Sequence, residues 1–193
     1  LYLALAASME DPVDVQQLAT MPLNTNKPTQ ALTVGKTALK QAAPTADARI
    51  AASTEAGGFR SLPPRSAWSL SADAAYVHVT ANETIHGVEF RDIPDVGDVP
   101  LIADFSSSIA SEPLDISRFG AIYAGAQKNM APAGLTIAIV DRALAGHELP
   151  ITPVMYSYQR MIDKDSMYNT PPCWNIYILG LVLAWLEQQG GVE

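Results

Sequence analysis

Asp104 and Lys128 each close an apolar run: "VPLIADFSS" (99–107) carries the acid, and "FGAIYAGAQK" (119–128) ends on the amine, with "GLTIAIV" following. An ammonium is costly in apolar surroundings unless it is paired, deprotonated or covalently used. A carboxylate and an amine brought together at a sheet edge can form a simple ion pair. They can equally hold the two ends of pyridoxal 5'-phosphate, the lysine bonded to the aldehyde carbon and the aspartate on the ring nitrogen. The acid then keeps that nitrogen protonated, so the ring draws electrons from a carbanion. The lysine serves twice, as covalent anchor and as the base at Cα. Residue types and spacing leave both readings open.

The elements that must position these two residues are strands. "AAYVHVT" (74–80), "VPLIADFSS", "FGAIYAGAQK" and "GLTIAIV" (134–140) are rich in β-branched, aromatic and small apolar residues. They are continuous rather than alternating, which predicts strands covered on both faces in an α/β, mainly parallel, helix-covered sheet. Ligands of such sheets sit at strand ends, where Asp104 and Lys128 lie. Upstream, "ARIAAST" (48–54) reads as a strand, "GKTALKQAA" (35–43) as a helix, and "DPVDVQQLATMPLN" as a loop running into a short helix. "GGFRSLPPRSAW" is a Gly/Pro-rich connection. "WNIYILGLVLAWL" (174–186) is apolar but shorter than the about 20 residues a bilayer needs. It is expected to be a buried helix. "LYLALAA" at the start is too short for a signal sequence and has no basic flank before it.

Composition narrows the partners. The 193 residues suit one domain with a sizeable core, and 48% hydrophobic with 17% charged residues is an ordinary globular balance. A net charge of −8 argues against nucleic acid or an anionic membrane surface. A single cysteine, Cys173, excludes an internal disulfide and suits a reducing, cytoplasmic setting. It reads as a small, partly buried side chain rather than a nucleophile. His78, His86 and His147 lack ligand spacing, so no metal site is expected.

Several residues carry plain structural readings. His78 is expected as a satisfied core histidine, Tyr123, Tyr168 and Trp185 as core or interface aromatics, and Met130, Met155, Met161 and Met167 as packing residues. Arg118 is expected to pair with a carboxylate such as Asp115. Thr170 is a candidate N-cap with Pro171 at the first helical position, and the free N–H groups there suit a phosphate.

A family resemblance decides between the open alternatives. "ADFSSSIASEPLDISRFGAIYAGAQKNMAPAGLTIAIV", "AAYVHVTANETIHGVEF" and "DSMYNTPPCWNIYILGLVLAWLEQQGGV" resemble the phosphoserine aminotransferases, class V enzymes of pyridoxal-phosphate fold type I. The similarity is specific over 68–193 and divergent over 1–67. It implies that the chain is a single cofactor-binding large domain. Lys128 would be the lysine bonded to the cofactor, Asp104 the partner of its ring nitrogen, and Thr84 and Gln127 cofactor contacts. Asn169 and Thr170 would reach the cofactor phosphate of the neighbouring subunit, so the resemblance implies a homodimer with shared active sites. The implied reaction moves an amino group from L-glutamate to 3-phosphohydroxypyruvate by a ping-pong scheme, giving O-phospho-L-serine and 2-oxoglutarate in serine biosynthesis. A related four-carbon phosphorylated substrate of pyridoxine biosynthesis falls within the same resemblance.

Three departures set the alternative, an impaired or non-catalytic homologue or fragment acting as an interaction or dimerisation module. "EDPVDV" (10–15) stands where the family has a glycine-rich, phosphate-binding run, and brings acids and a proline instead. Val34 stands where the family has a ring-stacking tryptophan. The family is roughly twice as long, and its N-terminal substrate arginine and C-terminal small domain have no counterpart in these residues.

Overall fold

The computed structural model describes residues 2–7, 29–32 and 48–192. The expected helix at 35–43, the loop at 10–15 and Val34 lie outside the described residues. Among the described residues there are nine strands: β1 (Tyr2–Ala7), β2 (Thr29–Leu32), β3 (Ala48–Ala52), β4 (Tyr76–Thr80), β5 (Asn82–Glu83), β6 (Val88–Glu89), β7 (Leu101–Asp104), β8 (Ala121–Gly125) and β9 (Leu135–Val140). The described residues also form two α-helices, α1 (Tyr158–Asp163) and α2 (Cys173–Gln188).

Seven strands form one sheet in the order β1-β9-β8-β7-β4-β2-β3. The pairs β2–β3, β2–β4, β4–β7 and β7–β8 are parallel, while β9 runs antiparallel to both β8 and β1. This is the mainly parallel α/β sheet expected from the continuous apolar runs. β8 is buried along its whole length and β9 nearly so, which requires cover on both faces.

The register sorts the side chains. His78 lies opposite Ile102, Thr80 opposite Asp104, and Asp104 opposite Tyr123, so alternation puts these residues on one face with Tyr76, Ala121, Ala138 and Val140. Met161 of α1 packs there, with Tyr158 and Met155 beside it. The opposite face carries Val77, Val79, Leu101, Ala103 and Ile122. It is covered by Phe119 and by irregular segments bearing Trp68, Phe90, Ile93 and Leu114. Near β8 and β9 the cover is α2, whose Leu179 and Ile176 meet Ala124, Leu135 and Ile137. Ile122, Leu135, Val77, Val79 and Val140 are almost fully enclosed, each contributing about 1.5–3 kcal/mol.

Two expectations about the last helix need correction. α2 begins at Cys173, and its N-cap is Pro172 with no side-chain cap; Thr170 is not the cap. Each of Thr170 and Pro171 precedes a proline, which disfavours the α conformation at both. Nor is α2 a buried helix within this chain: Leu179 is its only buried residue, while Trp174, Tyr177, Leu181 and Trp185 are exposed. Cys173, expected to be partly buried, is exposed at the first turn. Among the aromatics, Tyr123 is in the core but Tyr168 and Trp185 lie at the surface, as does Met167, whereas Met130 and Met161 are buried.

Candidate functional site

β7 ends where the sequence turns polar, and the turn is made by Asp104 itself. Ser106 N–H donates to Asp104 Oδ1 at 2.8 Å, an Asx-type turn that bends the chain out of the sheet. Gly125 N–H, at the end of the neighbouring β8, donates to Ser106 Oγ at 3.0 Å. The two strand ends are therefore stitched together beside the carboxylate.

On the core side Asp104 has Tyr123 as its register partner on β8. Tyr123 Oη is 3.0 Å from His78 Nε2, and the two rings stack with centroids 5.9 Å apart. Burial lowers the His78 pKa to about 4, opposed in part by the nearby Asp104 charge. Burial first, then Asp104, pushes the Tyr123 phenol well above its ordinary value. The expected satisfied core histidine is borne out, and its partner is Tyr123, the register neighbour of Asp104.

Lys128 lies past β8, in the turn that Ala126 closes through Ala126 N–H to the Leu135 carbonyl at 2.9 Å and Met130 N–H to the Ala126 carbonyl at 2.9 Å. The apolar runs on either side suggest a lysine in an apolar setting, but Gln127, Lys128 and Asn129 are all exposed. The strand stops at Gly125, so the amine projects from a turn and no burial cost arises. Its Nζ donates to Thr84 Oγ1 at 2.8 Å.

Thr84 is placed by the short β5–β6 hairpin, whose turn uses Gly87 at φ 68°. Ser107 Oγ donates to the Asn82 carbonyl at 3.0 Å, tying this hairpin to the segment after Asp104. Glu83 Oε2 accepts from both the His86 N–H and its Nδ1 at 2.7 Å. Burial raises the Glu83 pKa, yet these bonds outweigh it and leave the carboxyl below its usual range.

The lysine turn is anchored at two further points that sequence reasoning missed. Asn129 Nδ2 donates to the Ile109 carbonyl at 2.7 Å. Asn175, in the first turn of α2, donates through Nδ2 to the Pro132 carbonyl at 3.2 Å and to that of Ala133. A polar residue inside an otherwise apolar helix was the available signal. Gln127 folds back over Gly125, where an added Cβ would sit 2.6 Å from its Oε1. The Arg118 guanidinium donates to the Ile93 carbonyl at 3.1 Å rather than to the Asp115 carboxylate, which the Ser117 hydroxyl and N–H hold below its usual range with a smaller part from the Arg118 charge.

The geometry thus brings Lys128 to Thr84, places Asp104 on the adjacent strand end, and leaves Gln127 at the same turn. Asn169 and Thr170 lie apart in sequence, half-buried and exposed respectively, just before α2. An exposed primary amine, a hydroxyl beside it and a fixed carboxylate are a donor set suited to a carbonyl compound with a basic ring nitrogen. Among the described residues no cluster of His, Cys, Asp and Glu is suited to a metal ion, and no helix is long and apolar enough to cross a membrane.

The family model for class-V aminotransferases matches residues 34–193, and the chain belongs to that family. Within it, the chain is 56% identical to the phosphoserine aminotransferase of Xanthomonas oryzae pv. oryzae (strain MAFF 311018) over 181 residues, 91% of this chain and 50% of that protein. It is also 56% identical to the Stenotrophomonas maltophilia (strain K279a) enzyme of the same name over 182 residues, with the same coverage. The solved phosphoserine aminotransferase of Bacillus circulans subsp. alkalophilus superposes with a TM-score of 0.88 at 38% identity, over 98% of this chain and 53% of that one. The pyridoxal-phosphate-bound enzyme of Trichomonas vaginalis gives 0.86 at 30% identity, over 99% and 58%. The chain spans about half the length of the curated relatives it matches.

Proposed function

We propose that these residues form the cofactor-binding large domain of an aminotransferase that moves an amino group from L-glutamate to 3-phosphohydroxypyruvate, in serine biosynthesis in the cytoplasm. The observation that carries the reading is the pair of adjacent strand ends: Asp104, fixed by Ser106 at the end of β7, beside the turn after β8 that presents Lys128 to Thr84. Similarity to phosphoserine aminotransferases over nine-tenths of the chain supports the substrate class.

Pyridoxal phosphate, when bound, supplies an aldehyde for amine exchange and a ring that withdraws electrons from Cα. Lys128 Nζ would hold the aldehyde carbon, and Asp104 would hold the proton on the ring nitrogen. Thr84 Oγ1 gives Lys128 a fixed resting position, from which the amine takes the Cα proton of the incoming amino acid. Gln127 faces the same turn as a further cofactor contact. Asn169 and Thr170, ahead of α2, would reach the phosphate of a second subunit. The exposed Trp174, Tyr177, Leu181 and Trp185 follow at helical spacing along α2 and support a homodimer that shares its sites. A four-carbon phosphorylated oxo acid of pyridoxine biosynthesis is the second substrate to compare.

The test supplies the chain with pyridoxal phosphate, L-glutamate and either phosphorylated oxo acid, and detects the amino product by mass. O-phospho-L-serine is expected from the wild type and none from Lys128→Ala. Equal product from both proteins, or none from the wild type, contradicts the assignment.

A further inference from the structure

We infer that Ser106 is a positioning residue whose hydroxyl sets how far Lys128 stands from Asp104, by holding the end of β8 to the turn that carries the acid. This deepens the reading of Asp104 and Lys128 as the two ends of a cofactor site and rests on it.

One rung of the ladder between β7 and β8 is replaced by this side chain. In a parallel ladder a paired residue donates to one residue of the neighbouring strand and accepts from the residue two further on. Phe105 N–H donates to the Tyr123 carbonyl at 2.9 Å, so the next rung would run from Gly125 N–H to the Phe105 carbonyl. That carbonyl instead accepts from Ser108 N–H at 3.0 Å and Ile109 N–H at 2.8 Å, within the turn. Gly125 is buried, and a buried N–H without an acceptor is costly. Ser106 Oγ supplies the acceptor, 3.0 Å from Gly125 N.

Ser106 is thereby bound on both sides. Its N–H donates to Asp104 Oδ1 at 2.8 Å, and its hydroxyl accepts from the residue three places before Lys128. Acid and lysine turn are joined through one residue and two hydrogen bonds. Beyond Gly125, Ala126 N–H is tied to the Leu135 carbonyl of β9 at 2.9 Å, so the lysine turn leaves from a fixed point. Ser107 donates from its hydroxyl to the Asn82 carbonyl at 3.0 Å, two residues before Thr84. Asp104, Lys128 and Thr84 thus hang from one pair of serines. A rigid, planar cofactor held at its aldehyde carbon and its ring nitrogen demands a set separation between amine and acid, and a small misplacement is costly. A serine that served the sheet alone would affect stability and leave the ring nitrogen unmoved.

Amide exchange of the chain without cofactor tests the clasp. Ser106→Ala is expected to quicken Gly125 N–H exchange by about fivefold or more, the equivalent of one hydrogen bond. Ser106→Thr keeps the wild-type rate, and Ser106→Cys, with a weaker acceptor, falls between. This grading holds the test open even where the alanine variant does not fold. Ring-15N pyridoxal phosphate tests the consequence. Ser106→Ala still takes one borohydride-trapped label on Lys128, but before reduction its ring-nitrogen resonance shifts toward the unprotonated position, and Ser106→Thr restores it. Unchanged Gly125 exchange across the series, or a wild-type ring nitrogen in Ser106→Ala, overturns the inference. If the wild type takes no label on Lys128, the reading of the cofactor site fails, and the exchange series alone then decides whether Ser106 joins the two strand ends.

Discussion

Tyr123 is the register partner of Asp104 on the next parallel strand, while Ser106 N–H binds the Asp104 carboxylate from the turn at 2.8 Å. One acid is thus held from the loop and flanked by a core tyrosine, and it stands at the end of a strand adjacent to the one that leads into the lysine turn. Each part of this arrangement makes a separate expectation.

Asp104→Asn keeps the shape and the hydrogen bond from Ser106 but removes the charge that would hold a ring proton. Covalent capture of the cofactor by Lys128 should persist, while the glutamate half-reaction slows by about 10²-fold or more. Single-turnover absorbance measurements give both values. An undiminished rate would remove Asp104 from the chemistry.

Thr84→Val deletes the hydroxyl that accepts from Lys128 Nζ. Thr84 is exposed, so stability should change by no more than about 0.5 kcal/mol. Cofactor affinity should fall by about tenfold, the equivalent of one hydrogen bond. Thermal melting and a cofactor titration separate the two effects.

Asn175→Ala releases the turn carrying Lys128 from α2, leaving the Pro132 and Ala133 carbonyls without this donor. A stability loss of about 1 kcal/mol is expected. Amide exchange should quicken within residues 126–134 before it quickens in β8 or β9. Uniform exchange across the sheet would mean that the side chain does not pin this turn.

His78 sets a pH dependence. Its pKa in the folded chain is about 4 against an ordinary 6.5, so the unfolded chain binds the extra proton first. Stability is therefore full above about pH 6.5, falls as pH drops through that value, and stops falling near pH 4. The shift corresponds to a loss on the order of 3 kcal/mol. Urea unfolding at intervals across this window should show the slope in the wild type and a flatter one in His78→Gln.

Much of the arrangement is legible in the sequence because it is local. Continuous apolar runs mark β4, β7, β8 and β9, and a charged residue closes the run at β7 and follows β8, so Asp104 and Lys128 stand out without a structure. Tyr123 and His78 do not, because their meeting depends on register across three strands and on nothing near them in sequence. The exposure of α2 is invisible for a related reason: an apolar helix reads as buried whatever covers it, and within this chain Leu179 alone is covered. The start of α2 was misplaced because "TPP" resembles a capped start, whereas two consecutive prolines keep Thr170 and Pro171 extended and delay the helix to Cys173. Lys128 looked buried between apolar runs because burial was inferred from neighbours in sequence; the turn after Gly125 carries it outward.

The most direct measurement of the central claim is an intact mass of the chain incubated with pyridoxal phosphate and reduced with borohydride, followed by peptide mapping. One cofactor added per chain, located on Lys128 and absent from Lys128→Ala, is the predicted result. A chain of unchanged mass, or a label spread over other lysines and undiminished in Lys128→Ala, would contradict it.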